Sequence, residues 1–181
     1  MNIPSLTRFG NPILRQKTSD VTVDEIRSET IQQFIDELKV IIESKNYGVG
    51  LAAPQVGKSM RISVIDIKPT KLRPEVEKFS LTIINPVYEG VGRRTPLWEG
   101  CLSSGAGKNT LYAKALRYKK IKATWVDESG AKHEQVLEGL PAHVFQHETD
   151  HLDGILFVDR VRDTKTYMMA DEYRRRIINK T

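Results

Sequence analysis

Cys101 is the only cysteine among the 181 residues, and a lone cysteine forms no internal disulfide. A framework of stapled loops is therefore excluded; a cytoplasmic setting is the expectation, to which the single cysteine itself adds little. No apolar run approaches the ~20 residues needed to cross a bilayer. The stretch Met1 to Arg8 also lacks the charged segment and apolar core of a secretory leader. A soluble, intracellular chain with no membrane partner is expected. Internal repeats, low-complexity tracts and a flexible linker are missing, so 1–181 reads as a single domain large enough to bury a substantial core.

Charge is only mildly one-sided. Lys and Arg total 28 against 23 Asp and Glu, a net charge of +5, with a basic cluster from Arg174 to Lys180. That cluster fits contact with an anionic partner such as ribosomal RNA. It also fits the basic C-terminus that a helix dipole favours, which is the simpler reading. No sequence-specific nucleic-acid partner is expected.

Histidine is scarce too, yet two of the four fall in His147-Glu148-Thr149-Asp150-His151. On a helix, residues four apart are surface neighbours, so both rings can reach one ion while Glu148 handles a proton of the attacking water. The bland alternative is a solvated polar helix turn. A catalytic site usually has three protein ligands and an open position, so a third ligand is needed. The metzincin pattern supplies Gly154 but places Phe157 at its last histidine position, and phenylalanine cannot ligate. His143 and His151 are separated by roughly 12 Å along a helix at 1.5 Å per residue, so His143 reads as a pocket or packing residue. Glu172 imitates a thermolysin-type carboxylate ligand, but it leads into Tyr173-Arg174-Arg175-Arg176, which reads as solvated surface.

Cys101 remains, set in Trp98-Glu99-Gly100-Cys101-Leu102-Ser103. Its thiolate would complete a Cys/His/His set with a fourth position open to water. It also reads as a buried small hydrophobe, or as half of a Cys-His nucleophile pair. The pair would leave His147, His151 and Glu148 without a purpose, so the metal is preferred.

Thr22-Val23-Asp24-Glu25 is a capping box, and Ile31, Phe34, Ile35, Leu38, Ile41 and Ile42 follow at helical spacing, predicting a first long helix to about Ser44. Arg61 to Ile67, Leu81 to Ile84 and Lys119 to Val126 read as short strands, the last entering a hairpin turn at Asp127-Glu128-Ser129-Gly130. Gly139 and Pro141 punctuate the entry to the helix of His147 and His151. A final helix is predicted from about Thr164 to Ile178. Helices at both ends of a strand-rich middle give an α+β architecture.

Gly48-Val49-Gly50-Leu51-Ala52-Ala53-Pro54-Gln55 is a further motif of small residues that lets backbone approach a ligand. It lacks the Lys-Ser/Thr ending of a phosphate loop and the spacing of a dinucleotide loop. A tight turn is the plain alternative. Taken in order, G-x-G-x-A-A-x-Q, E-G-C-L-S and Q-H-E-x-D-H closely resemble the three signature motifs of the peptide deformylases. Phe9 to Arg15, Ile84-Asn85-Pro86 and Leu156-Phe157-Val158-Asp159-Arg160 extend the resemblance over most of the chain.

The resemblance implies an α+β, deformylase-like fold of short antiparallel strands around a central helix carrying H-E-x-x-H. It implies one ferrous ion per chain, replaceable by zinc, nickel or cobalt, on Cys101, His147 and His151. Glu148 would be the general acid/base, with Gln55 and the Leu102 backbone N–H on the oxyanion. The backbone of Gly48, Val49 and Gly50 would pair with an extended peptide, and Val49, Leu97, Leu140 and Val144 would form the methionine pocket, with Gly100 and His143 also in the substrate site. The implied activity is removal of the N-formyl group from N-formylmethionyl peptides, releasing formate.

Two other functions stand beside it: hydrolysis of a different formamide on the same fold and metal, and a non-catalytic, metal-binding or ribosome-associated protein. Glu148 and Gln55 speak against the second, since neither is needed to hold an ion. The chain departs from the family's pattern at Ser104-Gly105-Ala106-Gly107-Lys108-Asn109-Thr110, where an apolar residue, a proline and then an arginine are usual. A looser loop is expected there, with Lys108 or Lys114 as point-charge substitutes for the missing arginine. His143, where the family often has Arg or an aliphatic residue, is expected to make the pocket more polar.

Overall fold

The computed structural model describes residues 5–45, 48–71 and 73–179. The sequence readings at Met1 to Pro4 and at Lys180 lie outside the described residues. The Thr22 capping box forms as expected, Thr22 N–H donating to the Glu25 carboxylate (2.7 Å) and Glu25 N–H to Thr22 Oγ1 (3.3 Å). It opens only a one-turn helix, α1 (Val23–Ile26). The long helix α2 (Glu29–Glu43) has its own cap, Ser28, which has extended backbone and accepts from Ile31 N–H. The single helix expected from Thr22 is therefore two. The apolar stripe of α2 is buried, from Ile31 to Ile42, against β1 (Gly50–Ala52) and β2 (Ile62–Ile67).

The sheet is antiparallel in the order β1-β2-β3-β4-β5. Two of its members are far longer than the sequence indicates. β3 runs Phe79–Gly100 and β4 runs Leu111–Val126, where only Leu81 to Ile84 and Lys119 to Val126 stood out. The outer stretch of β3, around Gly90 to Arg94, is mostly exposed, so it carries no apolar alternation to read. Pro86 is accommodated at a register shift between Ile84 and Val87. Beside it Asn85 adopts φ 51, and its amide bonds both the N–H and the C=O of Val21 (2.9 and 2.8 Å).

The expected hairpin turn joins β4 to β5 (Lys132–Glu138), with the Asp127 carboxylate accepting from Ser129 N–H (2.8 Å) and Ala131 N–H (3.0 Å). Gly139 follows with φ 63 and starts α3 (Gly139–Leu152), with Pro141 in its first turn. The sheet wraps α3: Ala142, Val144 and Phe145 pack on Ile65, Ile67, Ile121, Ala123, Trp125 and Leu137. The predicted C-terminal helix from Thr164 is not continuous. A 3₁₀ turn (Thr164–Thr166) leads to β6 (Met168–Met169), which pairs with Leu111 and Tyr112 of β4. A short helix α4 (Ala170–Tyr173) and one π-helical turn (Arg174–Ile178) follow. Pairing of Met168 and Met169 with the end of β4 overrides the helical tendency there.

Candidate active site

The second half of α3 is unusual chemically, because Gln146, Glu148, Thr149, Asp150 and His151 are all buried. A buried polar group left without a partner costs about 1–3 kcal/mol, so each needs an explanation. Gln146 bonds the Tyr118 N–H (2.9 Å) and C=O (2.8 Å), anchoring α3 to β4, and Thr149 Oγ1 donates to Phe145 C=O (2.8 Å). The others belong to one polar site.

His147 and His151 lie one turn apart with ring centroids at 4.8 Å. Cys101, at the end of β3, presents Sγ 3.3 Å from His151 Nε2. The sulfur and one nitrogen of each ring all lie within 4.8 Å of one another, and no other triad of His, Cys, Asp or Glu donors gathers like this among the described residues. A soft thiolate with two imidazoles suits a borderline divalent transition metal. Glu172, the weaker candidate, is occupied instead by Arg175 and Arg176 on the surface.

The ring orientation of His147 is set by Glu99, which sequence reasoning quoted within its motif but gave no role. His147 Nδ1 lies 2.5 Å from Glu99 Oε1 and His143 Nε2 lies 2.7 Å from Oε2. An ionised carboxylate only accepts, so His147 carries its proton on Nδ1 and turns Nε2 toward Cys101. Glu99 in turn takes a two-pronged grip from Arg117, Nε to Oε2 (2.9 Å) and Nη2 to Oε1 (2.7 Å). Arg117 Nη1 bonds Asp150, whose carboxylate also receives Arg160 (2.7 and 3.1 Å). Burial works against the Glu99 anion, but Arg117 and His147 hold its carboxyl well below the ordinary range. Burial likewise opposes charge on Arg117, yet Glu99 and Asp150 outweigh it. Asp150 and Glu99 were visible in the motifs and Arg160 in the stretch from Leu156, none of them with a role; Arg117 carried no local signal.

Glu148 is 2% exposed and its Oε2 has no partner among the described residues. Burial pushes its carboxyl up to about 7, so it exchanges a proton near neutral pH in the metal-free site. Its carboxyl lies directly against the backbone of Gly50, where a Cβ would come within 2.9 Å of Glu148 Cγ and closer still to Cδ and Oε1. The glycine motif thus makes room for the Glu148 carboxyl itself.

Gln55 is oriented by its carbonyl, which accepts from Ala52 N–H (2.8 Å), leaving Nε2 directed at Ser103 Oγ (3.2 Å) and Cys101 Sγ (3.6 Å). Leu102 opens a 3₁₀ turn (Leu102–Ser104), so its N–H is among those with no acceptor inside the turn.

These groups share a cavity of about 600 Å³ whose lining includes Gly48, Val49, Gly50, Gln55, Glu99, Gly100, Cys101, Leu102, Leu140, His143, Val144, His147 and Glu148. Leu97, expected in the pocket, is half-buried and does not line it. Among the described residues β1 is the edge of the sheet and pairs with β2 alone, so its other edge offers backbone groups to an extended chain.

The expected looseness after Ser103 is not found. Ser104 Oγ donates to Cys101 C=O (2.7 Å) and accepts from Leu111 N–H (3.2 Å), while Arg8 Nη1 holds Leu102 C=O (2.6 Å) and Gly105 C=O (2.8 Å). Gly105 fits beneath Asn109, whose carbonyl carbon would lie 2.6 Å from any Cβ there. Neither Lys108 nor Lys114 lines the cavity; its cationic wall comes from Arg8, Lys45, Arg73 and Arg174.

Comparison with known proteins agrees with this geometry. The polypeptide deformylase family model matches residues 3–167. Peptide deformylase 2 of Nostoc sp. is 36% identical over 180 residues, covering 97% of this chain and 96% of that protein. The Leptospira biflexa peptide deformylase is 36% identical over 172 residues, 92% of each. Among solved structures, the Met-Ala-Ser-bound class I type b peptide deformylase of Acinetobacter baumannii superposes with a TM-score of 0.80 at 30% identity, over 88% of this chain and 98% of that one. The Synechococcus elongatus peptide deformylase in complex with actinonin gives 0.75 at 34% identity, over 89% and 80%. A site built from Cys101, His147, His151 and Glu148, on a fold shared at this identity and coverage, places the chain in one family: it belongs to the polypeptide deformylases.

Proposed function

We propose that this protein is a metal-dependent hydrolase that removes the formyl group from N-formylmethionyl peptides, with nascent chains in the cytoplasm as the substrate. The observation that carries the reading is the meeting of Cys101, His147 and His151 with buried, unpartnered Glu148 in one cavity. Those three side chains would hold the ion, and the ferrous form is our assignment, with zinc, nickel or cobalt as substitutes. When bound, the ion supplies a water that deprotonates near neutral pH and a Lewis acid for a carbonyl oxygen.

The protein's own groups do the rest. Glu148 takes a proton from the attacking water and returns it to the leaving amine, a transfer for which its buried, cavity-lining carboxyl is placed. Gln55 Nε2 and Leu102 N–H donate to the oxygen that becomes negative as the formyl carbon turns tetrahedral. Glu99 and Arg117 keep His147 in its ligating tautomer. The free edge of β1 aligns the peptide by backbone pairing, and Val49, Leu140 and Val144 enclose the methionine side chain, with His143 at its polar margin. Arg175 and Arg176 are 69% and 62% exposed, and they form the surface through which the ribosome would be met.

The test is formate release from a panel of formyl-Met peptides and non-peptide formamides by anaerobically purified, ferrous-loaded protein. Efficient turnover confined to the peptides supports the proposal. Turnover of only the non-peptide formamides would move the function to a different substrate on the same chemistry.

A further inference from the structure

The cavity has a wall that the deformylation chemistry leaves unused. Trp98 and Gly100 of β3 face the same side as Tyr112 and Lys114, their partners on β4. The Tyr112 ring lies over Gly100, 2.8 Å from where a Cβ would stand, so it sits one residue from Cys101. Tyr173 of α4 stacks on Tyr112 with centroids at 4.3 Å and planes 7° apart, and meets Trp98 at 5.4 Å. Arg73, in the loop between β2 and β3, lines the same cavity and is half-buried. Its guanidinium has no carboxylate or carbonyl partner among the described residues. The two carboxylates of the cavity lie elsewhere, Glu99 on Arg117 and the histidines, Glu148 against Gly50.

A half-buried guanidinium that faces a cavity without a counter-ion is open to an anionic ligand, whose charge it would pair in partly desolvated surroundings. Burial lowers the Arg73 guanidinium, and the phenols of Tyr112 and Tyr173 act on it electrostatically. Burial also holds both phenols above their ordinary value, so they remain neutral O–H donors. Arg with two phenols makes a donor set for a carboxylate, which the guanidinium fork matches in geometry.

An extended peptide paired antiparallel to β1, with its formyl end at Cys101 and Glu148, would leave past the strand's N-terminal end. The Arg73 loop emerges there, just beyond Asp66, whose N–H holds Val49 C=O (2.9 Å).

We propose that Arg73, Tyr112 and Tyr173 form a carboxylate-binding subsite that selects formylated peptides bearing an anionic group within the first residues after the methionine. This rests on the deformylase reading and names its substrate class.

The experiment compares kcat/KM for formyl-Met-Ala-Ser as free acid and as amide, and for the amides formyl-Met-Ala-Asp and formyl-Met-Ala-Asn, in wild type, Arg73→Met, Arg73→Lys and Lys108→Ala. Equilibrium binding of Met-Ala-Ser acid and amide, followed without turnover, is measured alongside. A ratio of about tenfold favouring the anion, carried by KM, is expected in wild type and Lys108→Ala. The ratio should fall to about one in Arg73→Met and be intermediate in Arg73→Lys. Preference for the acid over the amide alone assigns the subsite to a peptide C-terminus, and preference for Asp over Asn assigns it to an acidic side chain. A ratio of one in wild type, or one that survives Arg73→Met, overturns the subsite while leaving deformylation intact. Loaded wild type that releases no formate from any peptide overturns the deformylase reading; the subsite then stands only if binding still favours the acid in an Arg73-dependent manner.

Discussion

Arg117→Met removes the cation on which two buried carboxylates depend. The Glu99 and Asp150 side chains are 4% and 3% exposed, and both lose a charge-assisted partner in the variant. Breaking a buried ion pair by deleting one member costs about 3–5 kcal/mol, because a desolvated charge is left behind. Here His147 and His143 still donate to Glu99, and Arg160 still donates to Asp150, which places the loss near the lower end, about 3 kcal/mol. For a domain of this size that corresponds to a fall in Tm of roughly 6–12 °C. Thermal unfolding followed by circular dichroism measures it, with metal affinity determined on the same samples. Affinity should fall about 10–100-fold, since Glu99 would no longer be fixed to orient His147. The triple variant with Glu99→Gln and Asp150→Asn removes the charges together and should recover much of the stability but not the metal affinity. An Arg117→Met protein within about 1 kcal/mol of wild type would refute the reasoning.

Further outcomes follow from the same geometry. Gln55→Ala should retain metal and lose about 10²–10³ in kcat, because an oxyanion donor is gone; near-full turnover at equal metal content rules out that role. Gly50→Ala should fold and bind metal but fall at least tenfold in turnover, as its Cβ displaces the Glu148 carboxyl; an unchanged pH–rate profile and rate would show that Glu148 is indifferent to its position. The Asp127 carboxyl is held well below its ordinary value of 3.8, burial being outweighed by bonds from Ser129, His133 and Ala131. Its stabilisation is therefore present above pH 3.8 and is lost as pH falls toward the folded value. Asp127→Ala should lose about 1–2 kcal/mol at neutral pH, and chemical denaturation should show the gap to wild type closing on acidification; a gap independent of pH contradicts the assignment.

The candidate site was legible because each motif is compact in the chain: Gly48 to Gln55, Glu99 to Ser103 and Gln146 to His151. A four-residue spacing on α3 and a lone thiol are enough to nominate the metal set from sequence. The supporting network was not legible, since Arg117 meets Glu99 across 18 residues and Asp150 across 33, pairings that only the β3–β4 ladder and the packing of α3 create. The fold class followed from helices flanking strands, but element lengths did not. The capping box at Thr22 has the same local chemistry whether one turn follows or four. The outer part of β3 is paired through its backbone while most of its side chains are exposed, so no apolar alternation marks it. Met168 and Met169 look helical until the end of β4 captures them as β6. Leu97 was placed in the pocket by resemblance, and the lining of the cavity leaves it out.

The most direct test is formate release from formyl-Met-Ala-Ser by ferrous-loaded wild type and Glu148→Ala at equal, measured metal occupancy. Robust release by wild type and a loss of at least a hundredfold in Glu148→Ala are expected of a general acid/base beside an intact metal centre. Equal release by both proteins would contradict the role of Glu148, and no release by a folded, fully loaded wild type would contradict the function.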